Sequence, residues 1–271
     1  MLLLHKEADS WVADALRELG AEAVEGLGSW DSVRPIHSDI FIRAASRHEV
    51  ETLRAVAVAE AALTKGRAVF YVGGTAMAGL HAPKGGQLFN AAVYIAKKRG
   101  ASVGSIDIHF PRGTWELHLE HKFPLYVVYG GAEGPSYGYV TRRGHKAVAF
   151  PLPPGAGDKS FERVLSLIEE IADGPLVVQL GFDIHREDLT GYFFVSEHFY
   201  YLLGKTLARR EFYVSLECPS SPKVFRKALA SLLAGIAGGE PPAVAPYRET
   251  EAVKREVELL LRRVKRKVET L

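Results

Sequence analysis

Side-chain amides and cysteine are scarce in this chain. Its 271 residues include one cysteine, Cys218, one asparagine, Asn90, and two glutamines, Gln87 and Gln179. A single cysteine excludes an internal disulfide and fits a reducing compartment. Few thermolabile amides beside 34 Lys plus Arg and 32 Asp plus Glu suggest a thermophilic source. The asparagine and one glutamine fall together in GGQLFNAA, which marks that segment as constrained. Long apolar runs are missing too. No stretch reaches the roughly 18 residues of a membrane span, and the opening MLLLHKEADSW turns charged too soon for a signal peptide. We therefore expect a cytoplasmic protein that neither spans nor contacts a membrane. No excess of one charge exists: the net charge is +2, which gives no global argument for nucleic-acid or acidic partners. Internal repeats and low-complexity tracts are also absent.

What remains is the composition of an ordinary globular protein, 47% hydrophobic and 24% charged, long enough to bury a substantial core. Short apolar runs at 68–72, 103–108, 125–129, 146–150, 176–180 and 211–216 read as buried strands. Helices are expected at 10–19, 50–64, 87–98, 114–121, 158–172, 196–209 and 222–237. Ser46 and Glu49 form a capping box ahead of the second helix, and Gly100 closes the third. Strands alternating with helices imply a mainly parallel sheet covered on both faces, a single three-layer α/β/α domain spanning 1–245. After the linker 238–246, residues 247–271 form one long amphipathic helix. Val253, Val257, Leu260, Val264, Val268 and Leu271 make its apolar stripe, opposite the basic run 262–267. That helix packs on its own domain or on a second copy in a homo-oligomer. Glutamates dilute its charge and make nucleic acid an improbable partner.

Ligands of such sheets sit beyond the carboxyl ends of the strands, and polar residues gather there. Asp107 and His109 end one strand and share a side of the backbone, because strand side chains repeat with period two. Asp183 follows another strand, while Glu217 and Cys218 follow a third. Taken singly, Asp107 and Asp183 serve equally well as turn caps. Taken together, two carboxylates and an imidazole supply three metal ligands and leave a fourth position for water or substrate. The spacing His118-x-x-His121 reads as a solvated helix face, and His185 and Asp188 as turn residues or as supports behind the ligands rather than ligands themselves.

The same segments resemble a known family. IDIHFPRGTWE is similar to the Asp-x-His-His-Gly-Asn-Gly-Thr-Gln-Glu signature of the histone deacetylase and acetoin-utilization superfamily. LGFDIHREDLTG resembles its Gly-Phe-Asp-Ala-His-x-x-Asp-Pro-Leu-Gly segment. PLPPGAGD and LFNAAVYIA match further stretches, all collinear over about 70–235. The resemblance implies an arginase/deacetylase-like fold and a divalent metal, Zn2+ or another such as Fe2+, held by Asp107, His109 and Asp183. It also implies a deacetylase-like amidohydrolase that attacks an acetylated lysine or acetylpolyamine with metal-activated water. Within AGLHA, His81 takes the place of the family's general base. Gly86 stands at the aromatic wall of the acyl-lysine tunnel, and Ser220 at the tyrosine that binds the scissile carbonyl. Tyr137 is a second candidate donor. Leu80, Ser105 and Arg112 replace catalytic residues, so the implied alternative is a relative that binds metal without turnover.

Overall fold

The computed structural model describes residues 1–136, 138–141, 146–245 and 247–270. In chain order its strands are β1 (Leu2–His5), β2 (Glu22–Val24), β3 (Arg67–Tyr71), β4 (Ser102–Ile106), β5 (Leu125–Gly130), β6 (Tyr139–Thr141), β7 (Ala147–Leu152), β8 (Leu176–Gly181) and β9 (Phe212–Glu217). Its α-helices are α1 (Trp11–Glu18), α2 (Trp30–Val33), α3 (Asp39–Ala45), α4 (Glu49–Lys65), α5 (Ala91–Arg99), α6 (Arg112–His121), α7 (Asp158–Ile171), α8 (Glu197–Leu207), α9 (Pro222–Ala237) and α10 (Glu251–Glu269). One sheet holds every strand, in the order β2-β1-β3-β9-β8-β4-β5-β7-β6. All pairings are parallel except that of the edge strand β6 with β7.

Strand periodicity builds the three layers. Leu176, Val178 and Leu180 of β8, with Phe212, Val214 and Leu216 of β9, face a core completed by Phe161 of α7, Phe199 of α8 and Phe225 of α9. The alternate residues Val177 and Tyr213 face the opposite core, with Phe41 of α3, Val56 of α4, Tyr94 of α5 and Leu117 of α6. A strand buried on both faces reads as an unbroken apolar run, which is why β5, β7, β8 and β9 are plain in the sequence. The first core closes tightly where α8 crosses α9. A Cβ on Gly204 would meet the Leu232 carbonyl and lie 3.0 Å from Ile236 N, and one on Gly235 would lie 3.0 Å from Lys205 N.

Four expectations need correction. The first 45 residues hold two strands, β1 and β2, where only α1 is legible, because β2 is three largely exposed residues at the sheet edge. The Ser46 capping box is not formed. Ser46 Oγ donates back to the Arg43 carbonyl, and Thr52 Oγ1 donates to the carbonyls of Ala45 and His48 instead. His118 is buried, not solvated, with Nδ1 2.6 Å from the Phe123 carbonyl. Finally, α5 starts at Ala91 rather than 87, with the Asn90 side chain accepting from Val93 N–H as its N-cap.

The apolar stripe of α10 lies within its own domain. Val257, Leu260, Leu261 and Val264 belong to the same core as β7 and α7. Just before it, Tyr247 stacks on Phe194, and Glu249 accepts from the N–H groups of Gly157 and Ser160 at the start of α7. A buried carboxylate there answers unpaired amides and the positive end of the helix. Leu271 lies outside the described residues. Among the described residues no helix is long and apolar enough to cross a membrane.

Candidate metal centre

Strands β9, β8 and β4 lie side by side and run in step. Ile106 pairs with Leu180, and Gly181 with Glu217. From this trio the chain leaves β4 for β5 on one side and β8 for β9 on the other. Such a divergence opens a crevice at the carboxyl edge of a parallel sheet. Asp107 directly follows β4, His109 lies two residues on, and Asp183 lies two residues beyond β8.

Gly181 lets the two carboxylates converge. A Cβ there would lie 2.7 Å from Asp183 Oδ1 and 2.8 Å from Asp107 Cγ. His109 Nδ1 stands 2.8 Å from Asp107 Oδ1 and 2.9 Å from Asp183 Oδ2. One ring proton serves one acceptor well, and it points to Asp107 Oδ1, which also accepts the His109 N–H. Asp107 Oδ2 is left buried with no hydrogen bond, and Asp183 Oδ2 is reached only by that same ring nitrogen. Two buried carboxylates side by side need positive charge between them. In the metal-free chain a proton on His109 supplies it: the bonds to Asp107 and Asp183 hold the imidazole pKa up, at about 10. Asp183 is pushed up by burial and then by the charge of Asp107.

This arrangement fits a divalent ion. One ligand atom each from Asp107, His109, Asp183 and Cys218 lie within 4.8 Å of one another. Donors bonded at 2.0–2.3 Å around a tetrahedral ion stand ~3.3–3.8 Å apart, so the group needs only a small contraction. The unpaired Asp107 Oδ2 is the second sign of fit, since a buried acceptor without a hydrogen bond calls for a partner. Cys218, which in the sequence only follows a strand, joins the group in the structure. Its Sγ lies 3.9 Å from His109 Nδ1. Burial and the neighbouring carboxylates of Asp107, Asp183 and Glu217 push its pKa up, so without a metal it is a neutral thiol and a poor nucleophile.

A cavity of about 250 Å³ opens over these groups, walled by Ala76, Met77, Phe110, Pro111, Arg112 and Glu133, with Glu217 and Cys218 also on its surface. The loop after β3 forms one wall, and the chain's few amides pin it there. Gln87 Oε1 accepts from Met77 N–H, Asn90 Nδ2 donates to the Ala78 carbonyl, and Gln179 Nε2 donates to Thr75 Oγ1. All three side-chain amides of the protein thus hold residues 75–78. Glu217 anchors the same loop, accepting from Thr75 N–H at 2.8 and 3.0 Å and from Thr75 Oγ1 at 2.6 Å. Burial raises its pKa to about 7 against those bonds. The approach requires Gly74, at φ 93°, where a Cβ would stand 2.6 Å from Gln87 Nε2.

Three other expected site residues are placed elsewhere. His81 is exposed, its Nδ1 2.9 Å from Ser38 Oγ, and it does not line the cavity. The loop presents Ala76 and Met77 there. Gly86, at φ 74° with open space around it, is a turn residue off the cavity wall. Phe110 supplies an aromatic wall instead, packed edge-on against Tyr129. Ser220 Oγ donates to Asp188 Oδ2, and Asp188 Oδ1 caps the turn at Thr190. His185 is fully buried beside Glu197. Tyr137 lies outside the described residues.

No protein-family model matches the chain, and no curated protein matches it in sequence. In structure it is similar to the HDA15 HD domain, at 17% identity and a TM-score of 0.75, over 96% of this chain and 95% of that one. It is also similar to an acetylpolyamine aminohydrolase from Burkholderia pseudomallei, at 15% identity and a TM-score of 0.71, over 84% of this chain and 89% of that one. Likeness at such identities speaks to architecture. The chain is built on the histone deacetylase superfamily fold, an α/β domain of arginase/deacetylase type.

Proposed function

We propose that this protein is a metal-dependent, deacetylase-like hydrolase of acylated amines, with the ion held by Asp107, His109 and Asp183. The observation that carries the reading is the convergence of these three groups, with Asp107 Oδ2 buried and without a hydrogen bond, below a cavity on the crevice of a deacetylase-type sheet. A divalent ion bound there, Zn2+ or Fe2+, supplies Lewis acidity toward water and toward an amide carbonyl.

The chain's own residues define the rest. Phe110 and Met77 give apolar walls for the acyl chain and the methylenes beside it. Glu133 on the same wall offers a carboxylate to an amine farther along the substrate, as in a polyamine or a lysine-containing peptide. No imidazole other than His109 lines the cavity among the described residues. General-base assistance contributes about 10²–10⁴-fold in enzymes that have it, so slow turnover is expected of this site. The test is release of free amine from acetyl-lysine peptides and acetylated polyamines after reconstitution with Zn2+ or Fe2+. Hydrolysis that needs the metal and vanishes in Asp183→Ala supports the reading. A metal-loaded protein inert toward every acetylated amine overturns it.

A further inference from the structure

We propose that Cys218 is a fourth protein ligand to the ion, closing the coordination position that a hydrolytic site leaves to water. The inference rests on the metal reading above and goes beyond it, because three ligands with an open position define a catalytic site while four describe a closed one. Two independent features carry it. First, Sγ shares the 4.8 Å cluster of donor atoms with both carboxylates and the imidazole, 3.9 Å from His109 Nδ1. Second, Asp107 Oδ2 is buried with no hydrogen-bond partner in this same cluster, and Asp107 is 3% exposed. A neutral thiol is at most a weak donor to that carboxylate, whereas an ion between the two satisfies both.

The placement of Cys218 is a property of the turn that follows β9. Glu217 is locked in register with Gly181 and tied to Thr75, so the next residue must project over the ends of β8 and β4. Cys218 does so at φ 44°, where glycine is the ordinary occupant. A thiolate brought to the ion makes the site soft enough to favour Zn2+ over harder ions. A thiolate held there would leave fewer positions on the ion for water or substrate, and so would slow hydrolysis relative to a three-ligand site.

Because Cys218 is the only cysteine, whole-protein measurements report on it alone. The experiment titrates Co2+ and Zn2+ into the full chain and into Cys218→Gly, a variant suited to the left-handed backbone at 218. Expected for wild type are one ion per chain, an intense near-ultraviolet thiolate-to-Co2+ band, and protection of the thiol from iodoacetamide by Zn2+. Cys218→Gly should bind Co2+ without that band and lose affinity on the order of tenfold or more. Loss of the band in a variant that still binds the ion separates ligation from folding. Wild-type protein that binds Co2+ but shows no thiolate band, with alkylation unaffected by Zn2+, overturns the role of Cys218 and leaves the three-ligand reading standing. Wild-type protein that binds neither ion overturns both.

Discussion

Replacing Gly181 by alanine should cripple the metal centre while leaving the fold in place. The hydrogen of this glycine faces both carboxylates, and an added Cβ would sit 2.7 Å from Asp183 Oδ1 and 2.8 Å from Asp107 Cγ. Ordinary contact for a Cβ begins near 3.4 Å, so each carboxylate must retreat by at least about 0.6–0.7 Å, and Asp107 Oδ2, the nearest atom, by more. Metal–ligand bonds hold their lengths within about 0.2 Å, and neither strand yields easily, since β4 and β8 are hydrogen-bonded along their whole length. A shift several times the tolerance should cost at least the 10–100-fold in affinity typical of losing a supporting group around a metal site. Competition against a fluorescent Zn2+ chelator measures that affinity, and circular dichroism with a thermal midpoint verifies folding. Overpacking of this kind costs roughly 1–3 kcal/mol, which a domain of this size survives. A folded Gly181→Ala protein that binds Zn2+ as tightly as wild type refutes the claim that these carboxylates converge on one ion.

Other consequences are equally concrete. His37 is buried, with Nε2 accepting from Asn90 N–H and Nδ1 facing the Gly79 carbonyl, and burial lowers its pKa to about 3 from 6.5. The unfolded chain therefore binds the proton first as pH falls. Stability present above pH 6.5 drains away between 6.5 and about 3, at ~1.4 kcal/mol per pH unit, or about 2 kcal/mol by pH 5. Urea unfolding at pH 7 and 5 should show this loss in wild type and a smaller loss in His37→Gln; equal losses would contradict it. Gly204→Ala should lower stability by roughly 1–3 kcal/mol by forcing α8 off α9, with metal affinity unchanged; an unaltered denaturation midpoint would contradict the close crossing. His81→Ala should leave metal affinity and any hydrolysis as in wild type, and a collapse of turnover would return His81 to the reaction.

The parallel core was legible because strands buried on both faces leave unbroken apolar runs such as LYVVYG, and because Ser196 and Pro222 mark helix starts in plain chemistry. That Asp107, His109 and Asp183 meet was legible for a related reason, since all three follow such runs at the carboxyl edge of the sheet. What escaped reading was fixed by contacts far apart in the chain. Nothing near Met77 announces that Gln87, Gln179 and Glu217 hold its loop over the site, and a histidine four residues on drew the assignment of a base that the loop turns outward. Cys218 looks inert beside Pro219 until β9 is set next to β8. The scarcity of amides carries the clue to that loop: in a chain with three, all three hold it.

The most direct test of the account is calorimetric titration of Zn2+ into the purified, metal-stripped protein and into Asp107→Ala and Asp183→Ala. We expect one ion per chain for wild type, accompanied by proton release as His109 gives up its Nδ1 proton, and affinity reduced by well over tenfold in each variant. Absence of binding in wild type, or undiminished binding in both variants, would contradict it.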